Sequence, residues 1–188
     1  MPNDILPSWR WHLDFARVFG PVARLLDERG HPYAVVGALG LHAWGQSRAT
    51  FDLDLVTVSP AQADLLRLLG ELGYETLHVS PGYSNHQHKD ADWGGVDVVY
   101  VDAETAGLLF PRCPRRLTLD GREAPVPRAE HLAAMKVQAM RNDPSRLLQG
   151  LADVQYLLGL PGTDRAEVKG YFERAGMLEW YERLIATL

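Results

Sequence analysis

The chain has 188 residues, of which 46% are hydrophobic, enough for one compact domain with a substantial core, or a domain with a small appendage. Its formal net charge of −5 gives no overall basic surface, so any contact with nucleic acid would depend on a local patch. Cys113 is the only cysteine, which excludes an internal disulfide and a cysteine-based zinc site. We expect a cytoplasmic protein without membrane contact, because the N-terminus lacks a signal-peptide pattern and no apolar run could span a bilayer.

The first third of the chain predicts a helix followed by a strand, helix and strand. Apolar residues recur at helical spacing over about residues 11–28. A short apolar run then starts at Tyr33 and stops at Gly37, and a helix-length segment of small and apolar residues follows. The second strand of this unit is the alternating run 52–57.

That alternating run carries Asp52 and Asp54. Side chains two residues apart on a strand leave on the same face, so the two carboxylates should project together, away from Leu53 and Leu55. Neighbouring carboxylates repel each other unless a positive charge lies between them. The pair therefore predicts a site for a hard divalent cation, which prefers oxygen ligands.

The residues before this strand predict a phosphate site beside the carboxylates. A glycine between a strand and a helix lets the backbone approach an anion, and Gly37 and Ala38 occupy such a turn. Arg48 and Thr50 add a cation and a hydroxyl four and two residues before Asp52.

The middle of the chain predicts a helix over about 60–73, a strand over 74–79 and a polar loop over 80–92. His86 and His88 in that segment raise the alternative of a zinc site, but turn composition alone explains them.

A second strand in this region, 96–101, is apolar except for Asp97. A charge inside an apolar strand needs a partner or a metal, so we expect Asp97 to join Asp52 and Asp54 from a neighbouring strand. Two alternatives remain open: Asp97 lies on a solvated face, or Asp102 is the third ligand instead.

The remainder predicts a short helix, a hairpin around Asp120-Gly121, and a helical C-terminal part that starts at Pro127. We therefore divide the chain into an α/β core, residues 1–126, and a helical subdomain, residues 127–188. Lys136 falls within the apolar stripe of the first of these helices. Its ammonium could extend along the edge of the stripe into water, or reach a phosphate at the site.

Together these residues resemble a known signature. Gly37-Ala38, a short helix and then Arg48-x-Thr50-x-Asp52-x-Asp54 is similar to the nucleotidyltransferase superfamily, and most of all to its bacterial branch of AbiEii-like toxins. The segment from Val126 to Lys136 resembles the second motif of that branch. Two positions depart from the pattern: Ala38 replaces the usual Gly or Ser, and Gly150 stands where an Asp precedes Asp153.

The resemblance implies an α/β fold with a mixed nucleotidyltransferase-type sheet, flanking helices and a helical C-terminal subdomain. It also implies transfer of a nucleoside monophosphate from an NTP to a hydroxyl, with two Mg²⁺ ions, or Mn²⁺ in their place. The implied metal ligands and catalytic residues are Asp52, Asp54 and Asp97. The implied nucleotide-binding residues are Gly37, Ala38, Arg48, Thr50 and Lys136.

The acceptor stays open between RNA such as tRNA, a protein and a small molecule such as an aminoglycoside. The toxin-like branch adds an antitoxin protein as an expected partner. A different class of function is a catalytically quiet module that binds a nucleotide or a protein, which the changes at Ala38 and Gly150 permit. A Rossmann-type dinucleotide site is a third alternative, but Gly37-x-x-Gly40 is incomplete and leaves the two aspartates unexplained.

Overall fold

The computed structural model describes residues 15–46, 49–119 and 121–188. Within these ranges the strands are β1 (Tyr33–Val35), β2 (Asp52–Val58), β3 (Tyr74–Ser80), β4 (Tyr83–His88), β5 (Gly95–Val101), β6 (Arg115–Leu119) and β7 (Arg122–Val126). The helices are α1 (Ala16–Glu28), α2 (Gly37–Ala43), α3 (Gln62–Glu71), α4 (Ala103–Leu109), α5 (Ala129–Asn142), α6 (Leu147–Leu158), α7 (Arg165–Ala175) and α8 (Leu178–Ile185).

Five strands form one mixed sheet in the order β1-β2-β5-β4-β3. β2 and β5 run parallel at its centre, and the other neighbours are antiparallel. β6 and β7 form a separate two-stranded hairpin, as the Asp-Gly dipeptide predicts. The sequence-based expectation of a mixed sheet with flanking helices and a helical C-terminal part is confirmed.

The two faces of the central strands differ in polarity. Leu53 and Leu55 of β2 and Val96 and Val98 of β5 are completely or almost completely buried. They belong to one hydrophobic core with the apolar faces of α1 and α3. Because side chains alternate along a strand, the residues between them, including the aspartates, lie on the opposite face.

The prediction of a loop over residues 80–92 is wrong, because β4 lies inside it. β4 pairs with both β3 and β5, so the polar segment is an inner strand of the sheet. Its buried polar side chains have hydrogen-bond partners. His86 is completely buried, and its two ring nitrogens form hydrogen bonds with Thr76 Oγ1 on β3 (3.1 Å) and Ser84 Oγ (2.8 Å). Ser84 in turn contacts the hydroxyl of Tyr100 at 2.9 Å. With both nitrogens engaged, His86 does not support the alternative of a zinc site.

The other predicted elements are found with small shifts at their ends. The first helix is α1, Ala16–Glu28, and the part of the predicted helix before residue 15 lies outside the described part of the chain. In the described ranges, no helix combines the length and the apolarity needed to cross a membrane.

The helical C-terminal part is anchored to α2. The indole Nε1 of Trp44, just after α2, donates to the carbonyl of Pro127 at 2.9 Å. The hydroxyl of Tyr156 on α6 donates to the carbonyl of Trp44 at 3.0 Å. We call these two bonds the Trp44 anchor; they join the first and the last thirds of the chain at the C-terminal end of α2.

Candidate active site

Three carboxylates lie on the polar face of the two central strands. Asp54 of β2 is directly opposite Asp97 of β5, and Asp52 is opposite Gly95. A side chain on Gly95 would place its Cβ only 2.3 Å from Asp52 Oδ1, so the glycine makes room for that carboxylate. The structure thus brings the predicted residues Asp52, Asp54 and Asp97 to one place.

The carboxylates perturb one another. Burial, and then the charge of Asp97, raises the pKa of Asp54 to about 6, with a smaller contribution from Asp52. Lys136 and Arg146 oppose this shift in Asp54. The pKa of Asp52 is also raised, first by burial and then by Asp97. The repulsion that the sequence predicts is therefore present, and nearby cations only partly offset it.

The backbone of the turn at Gly37 lies directly against the side chain of Asp54. Gly37 has a φ of +60°, and a Cβ built on it would lie 1.8 Å from Asp54 Oδ2. The backbone N–H of Val36 donates to the carbonyl of Asp54 at 3.0 Å, which fixes the turn against β2. Ala38 follows and is buried, and its methyl group can form no hydrogen bond with a phosphate.

Two further predicted residues precede β2. The Thr50 hydroxyl donates to the carbonyl of Asp52 at 3.1 Å and accepts from its backbone N–H at 3.3 Å. Thr50 thus holds the start of the strand that presents the carboxylates. Arg48 lies outside the described residues.

Lys136 forms an ion pair that the sequence does not indicate. Its Nζ lies 2.8 Å from Oδ2 of Asp153 on α6. Asp153 is completely buried, and Lys136 keeps 18% of its side-chain surface exposed. Amides of Gln149 (3.2 Å) and Gln46 (3.5 Å) donate to the other carboxylate oxygen of Asp153. Lys136 therefore lies beside the site: it forms an ion pair with Asp153, and its charge also partly offsets the raised pKa of Asp54.

Gly150 lies where α6 packs closely against α5. A Cβ on Gly150 would lie 2.5 Å from Cγ of Met140, on the facing helix α5. The departure from the toxin-like pattern, in which an Asp stands here, therefore accompanies a close approach of α5 and α6.

β4 contributes two residues that sequence reasoning missed. The Asn85 amide donates to Asp97 Oδ1, and Asn85 is opposite Asp97 in the sheet. The pKa of Tyr83 is raised by burial, and then by the charge of Asp97 and a hydrogen bond to it. The alternating positions 83, 85 and 87 were a signal for a strand, but the segment lacks the apolar partners that normally reveal one.

Arg146 was also missed. It lies in the short turn before α6, with 61% of its side chain exposed and its Nε 3.4 Å from Asp143 Oδ2. Its charge opposes the upward pKa shifts of Asp52, Asp54 and Tyr83, so it lies within electrostatic range of the same site.

Asp102, the alternative third ligand, has another role. Its carboxylate accepts from the backbone N–H of Thr105 at 2.8 Å and caps α4, which lowers its pKa. Asp97 is the third carboxylate that faces Asp54.

The residues present suit a hard cation in chemistry, because Asp52, Asp54 and Asp97 offer only oxygen atoms and repel one another. Within the described ranges, however, no three His, Cys, Asp or Glu side chains already form a cluster that could hold a metal ion.

Comparisons with known proteins identify the class of fold. No family model and no curated protein matches the sequence. The antibiotic-resistance factor ANT(2″)-Ia, studied in solution, is 15% identical, with a TM-score of 0.62 over 92% of this chain and 95% of that one. ANT(2″)-Ia in complex with adenylyl-2″-tobramycin gives 14% identity and a TM-score of 0.62 over 86% and 96%. A nucleotidyltransferase-like antigen of Paracoccidioides brasiliensis gives 16% and 0.53 over 90% and 92%.

The chain therefore has the nucleotidyltransferase fold. At these identities the likeness concerns the fold, so the AbiEii-like branch stays a prediction that rests on the sequence motif.

Proposed function

We propose that the protein is a metal-dependent nucleotidyltransferase that moves a nucleoside monophosphate from an NTP to an acceptor hydroxyl. The observation that carries the proposal is the convergence of Asp52, Asp54 and Asp97 on one face of two parallel strands in this fold. Burial and mutual repulsion make this arrangement costly for the apo protein, and a bound cation would remove that cost.

In the proposed reaction, the acceptor oxygen attacks the α-phosphorus and a new P–O bond forms. The bond between the α-phosphorus and the oxygen bridging to the β-phosphorus breaks, and pyrophosphate leaves. Asp97 accepts the hydroxyl proton, and Asn85 holds its carboxylate in place. Arg146 and Lys136 supply positive charge toward the phosphates, and the Gly37 turn brings backbone next to them.

Asp52, Asp54 and Asp97 are the residues that would hold Mg²⁺, or Mn²⁺ in its place. When bound, the metal would neutralise charge on the triphosphate and on the attacking oxygen. A hard ion suits this set, because the donors are all carboxylate oxygens.

Calorimetric titration with MgATP, MgGTP, MgCTP and MgUTP tests this proposal. Asp52→Asn combined with Asp54→Asn should abolish metal-dependent nucleotide binding and leave the fold intact, because it removes two repelling charges. Asp102→Asn is the matched control, since asparagine caps a helix as well as aspartate and the residue lies at α4. Undiminished affinity in the double variant would remove the nucleotide site from these residues.

A catalytically quiet nucleotide-binding module is the second candidate. The pairing of Lys136 with buried Asp153 favours it, because that ammonium is already engaged. Incubation with each α-labelled NTP and cell extract separates the two: an enzyme labels an acceptor and releases pyrophosphate, whereas a quiet module binds the NTP and labels nothing.

The toxin-like role and an antitoxin partner are finer proposals supported by the sequence motif. The close contact of Gly150 with Met140 leaves little space for the acidic side chain of that branch. The adenylyl-tobramycin complex of the structural neighbour supports a small-molecule acceptor as the alternative to RNA or protein.

A further inference from the structure

A concave site lies on the same face of β5 as Asp97. It is a cavity of about 500 Å³ between β5 and the helices α4, α5 and α7, within the range of small-molecule sites. Its apolar wall consists mainly of valine, leucine and alanine side chains, together with Met135. We call it the β5 cavity.

Two elements connect the β5 cavity with the candidate active site. Val99 and Val101 line it, and they share the face of β5 with Asp97. At about 3.3 Å per residue, they lie roughly 7 and 13 Å along the strand from Asp97. Met135, also in the wall, is the neighbour of Lys136 on α5. A ligand in the cavity therefore lies on the same face of β5 as Asp97.

His131 gives the cavity a buried polar group without a partner. Its Nε2 accepts from Nε of Arg128 at 3.2 Å, and an arginine can only donate. The ring proton of His131 is therefore on Nδ1. That nitrogen is buried and has no hydrogen-bond partner among the described residues. The side chain is 10% exposed and lines the cavity, so the wall includes one polar ring among its apolar side chains.

The charges around the cavity are positive. Arg141 and Arg174 line it and are exposed to solvent, and neither forms an ion pair with a described residue. The Arg174 guanidinium stacks on the ring of Tyr171 at 4.8 Å. Of the described lining residues, none is Asp or Glu. Glu167, just behind the wall, is already engaged by Arg128 and by the hydroxyl of Tyr171.

We propose that the β5 cavity is the acceptor site, and that it takes a largely apolar hydroxyl compound with an anionic end. The apolar wall holds the body of the acceptor, the arginines face its anionic end, and its hydroxyl extends along β5 toward Asp97. A polycationic aminoglycoside such as tobramycin is excluded, because the cavity offers it two guanidiniums and no carboxylate. This inference rests on the proposed function for its acceptor role.

The site itself can be tested without nucleotide. 1-Anilinonaphthalene-8-sulfonate has an apolar body and one anionic group, and N-phenyl-1-naphthylamine has the same body without the charge. Both dyes should bind the full-length protein at one site, measured by fluorescence titration. Ala134→Trp, which fills the cavity, should weaken both about tenfold or more. Arg141→Gln with Arg174→Gln should weaken only the sulfonate, by roughly fivefold.

Leu77→Ser is the control, because Leu77 is an exposed apolar residue on β3 that does not line the cavity. It should leave both affinities unchanged, and tobramycin should not displace the sulfonate. The proposal is overturned if Ala134→Trp binds the dyes like the wild type, if Leu77→Ser weakens them equally, or if tobramycin competes.

The acceptor role needs a separate measurement. With α-labelled NTP and Mg²⁺, 10-hydroxydecanoate and 4-(4-hydroxyphenyl)butyrate should become labelled, and tobramycin should not. Ala134→Trp should lose the transfer but keep nucleotide affinity by calorimetry. Labelling of tobramycin alone, or of none of the three, overturns the acceptor assignment. Absent nucleotide binding in the wild type instead refutes the proposed function, and the dye titrations still decide whether the cavity binds apolar anions.

Discussion

The ion pair between Lys136 and Asp153 yields a prediction that the sequence alone would reverse. Judged from the sequence, Lys136→Met keeps the apolar stem and a similar volume, so the apo protein should lose little stability. In the structure, the change removes the cation 2.8 Å from a completely buried carboxylate. The amides of Gln46 and Gln149 both donate to the other oxygen, so they do not replace the ammonium.

Breaking a buried pair by removing one partner costs on the order of 3 to 5 kcal/mol. For a chain of this length, each kcal/mol lowers the melting temperature by about 2 to 4 °C, so Lys136→Met should melt about 6 to 20 °C below the wild type. Adding Asp153→Asn removes the buried negative charge that Lys136 balances and keeps an oxygen for both amides. The double variant should therefore recover most of the loss.

Thermal and urea unfolding of the wild type, both single variants and the double variant give the coupling energy directly. Asp153→Asn alone should cost less than Lys136→Met, because Lys136 is partly exposed and can reach water. Wild-type stability in Lys136→Met, or a double variant no better than that single variant, would refute the reasoning. The stable double variant then allows a clean binding test: loss of a phosphate contact should weaken NTP roughly tenfold and NMP less.

Three other predictions concern the carboxylate face. The pKa of Asp54 is raised to about 6, so the folded state binds the carboxyl proton more tightly than the unfolded state, and the contribution of Asp54 to stability falls as pH rises from about 4 to about 6. In urea unfolding, Asp54→Asn should raise the free energy of unfolding by up to about 3 kcal/mol at pH 7 and by little at pH 4. An equal gain at both pH values would contradict this. Gly37→Ala would place a Cβ against the Asp54 side chain at a backbone position with positive φ, so it should lower the free energy of unfolding by about 1 to 3 kcal/mol. An unchanged thermal midpoint would rule out a steric conflict between this Cβ and Asp54. Arg146→Gln should leave stability within about 0.5 kcal/mol, because the residue is largely exposed, but should weaken NTP binding about tenfold by calorimetry; unaltered NTP affinity would remove Arg146 from the site.

The sequence predicted the central strands and their aspartates because their patterns are local. Leu53 and Leu55 alternate with Asp52 and Asp54, so one short segment specifies both the buried face and the polar face. The position of Asp97 followed from its apolar neighbours in the same way.

β4 could not be predicted by this rule. Its inward residues Ser84 and His86 are polar and are satisfied by Thr76 and Tyr100 on other strands, so no apolar alternation marks the strand. The partner of Lys136 was hidden for a similar reason. Asp153 lies on another helix, and only the packing of α5 on α6 brings the two together.

The Trp44 anchor has a consequence for motion. If α5 to α8 swung as a lever about residue 127, the bonds from Trp44 to Pro127 and from Tyr156 to Trp44 would have to break, or α2 would have to move with the helices. Gly37 is the first residue of α2, so a movement of α2 would also shift the backbone that lies against Asp54. A ligand that tilts the C-terminal helices would therefore also move the backbone next to the carboxylates, because both hydrogen bonds of Trp44 couple those helices to α2.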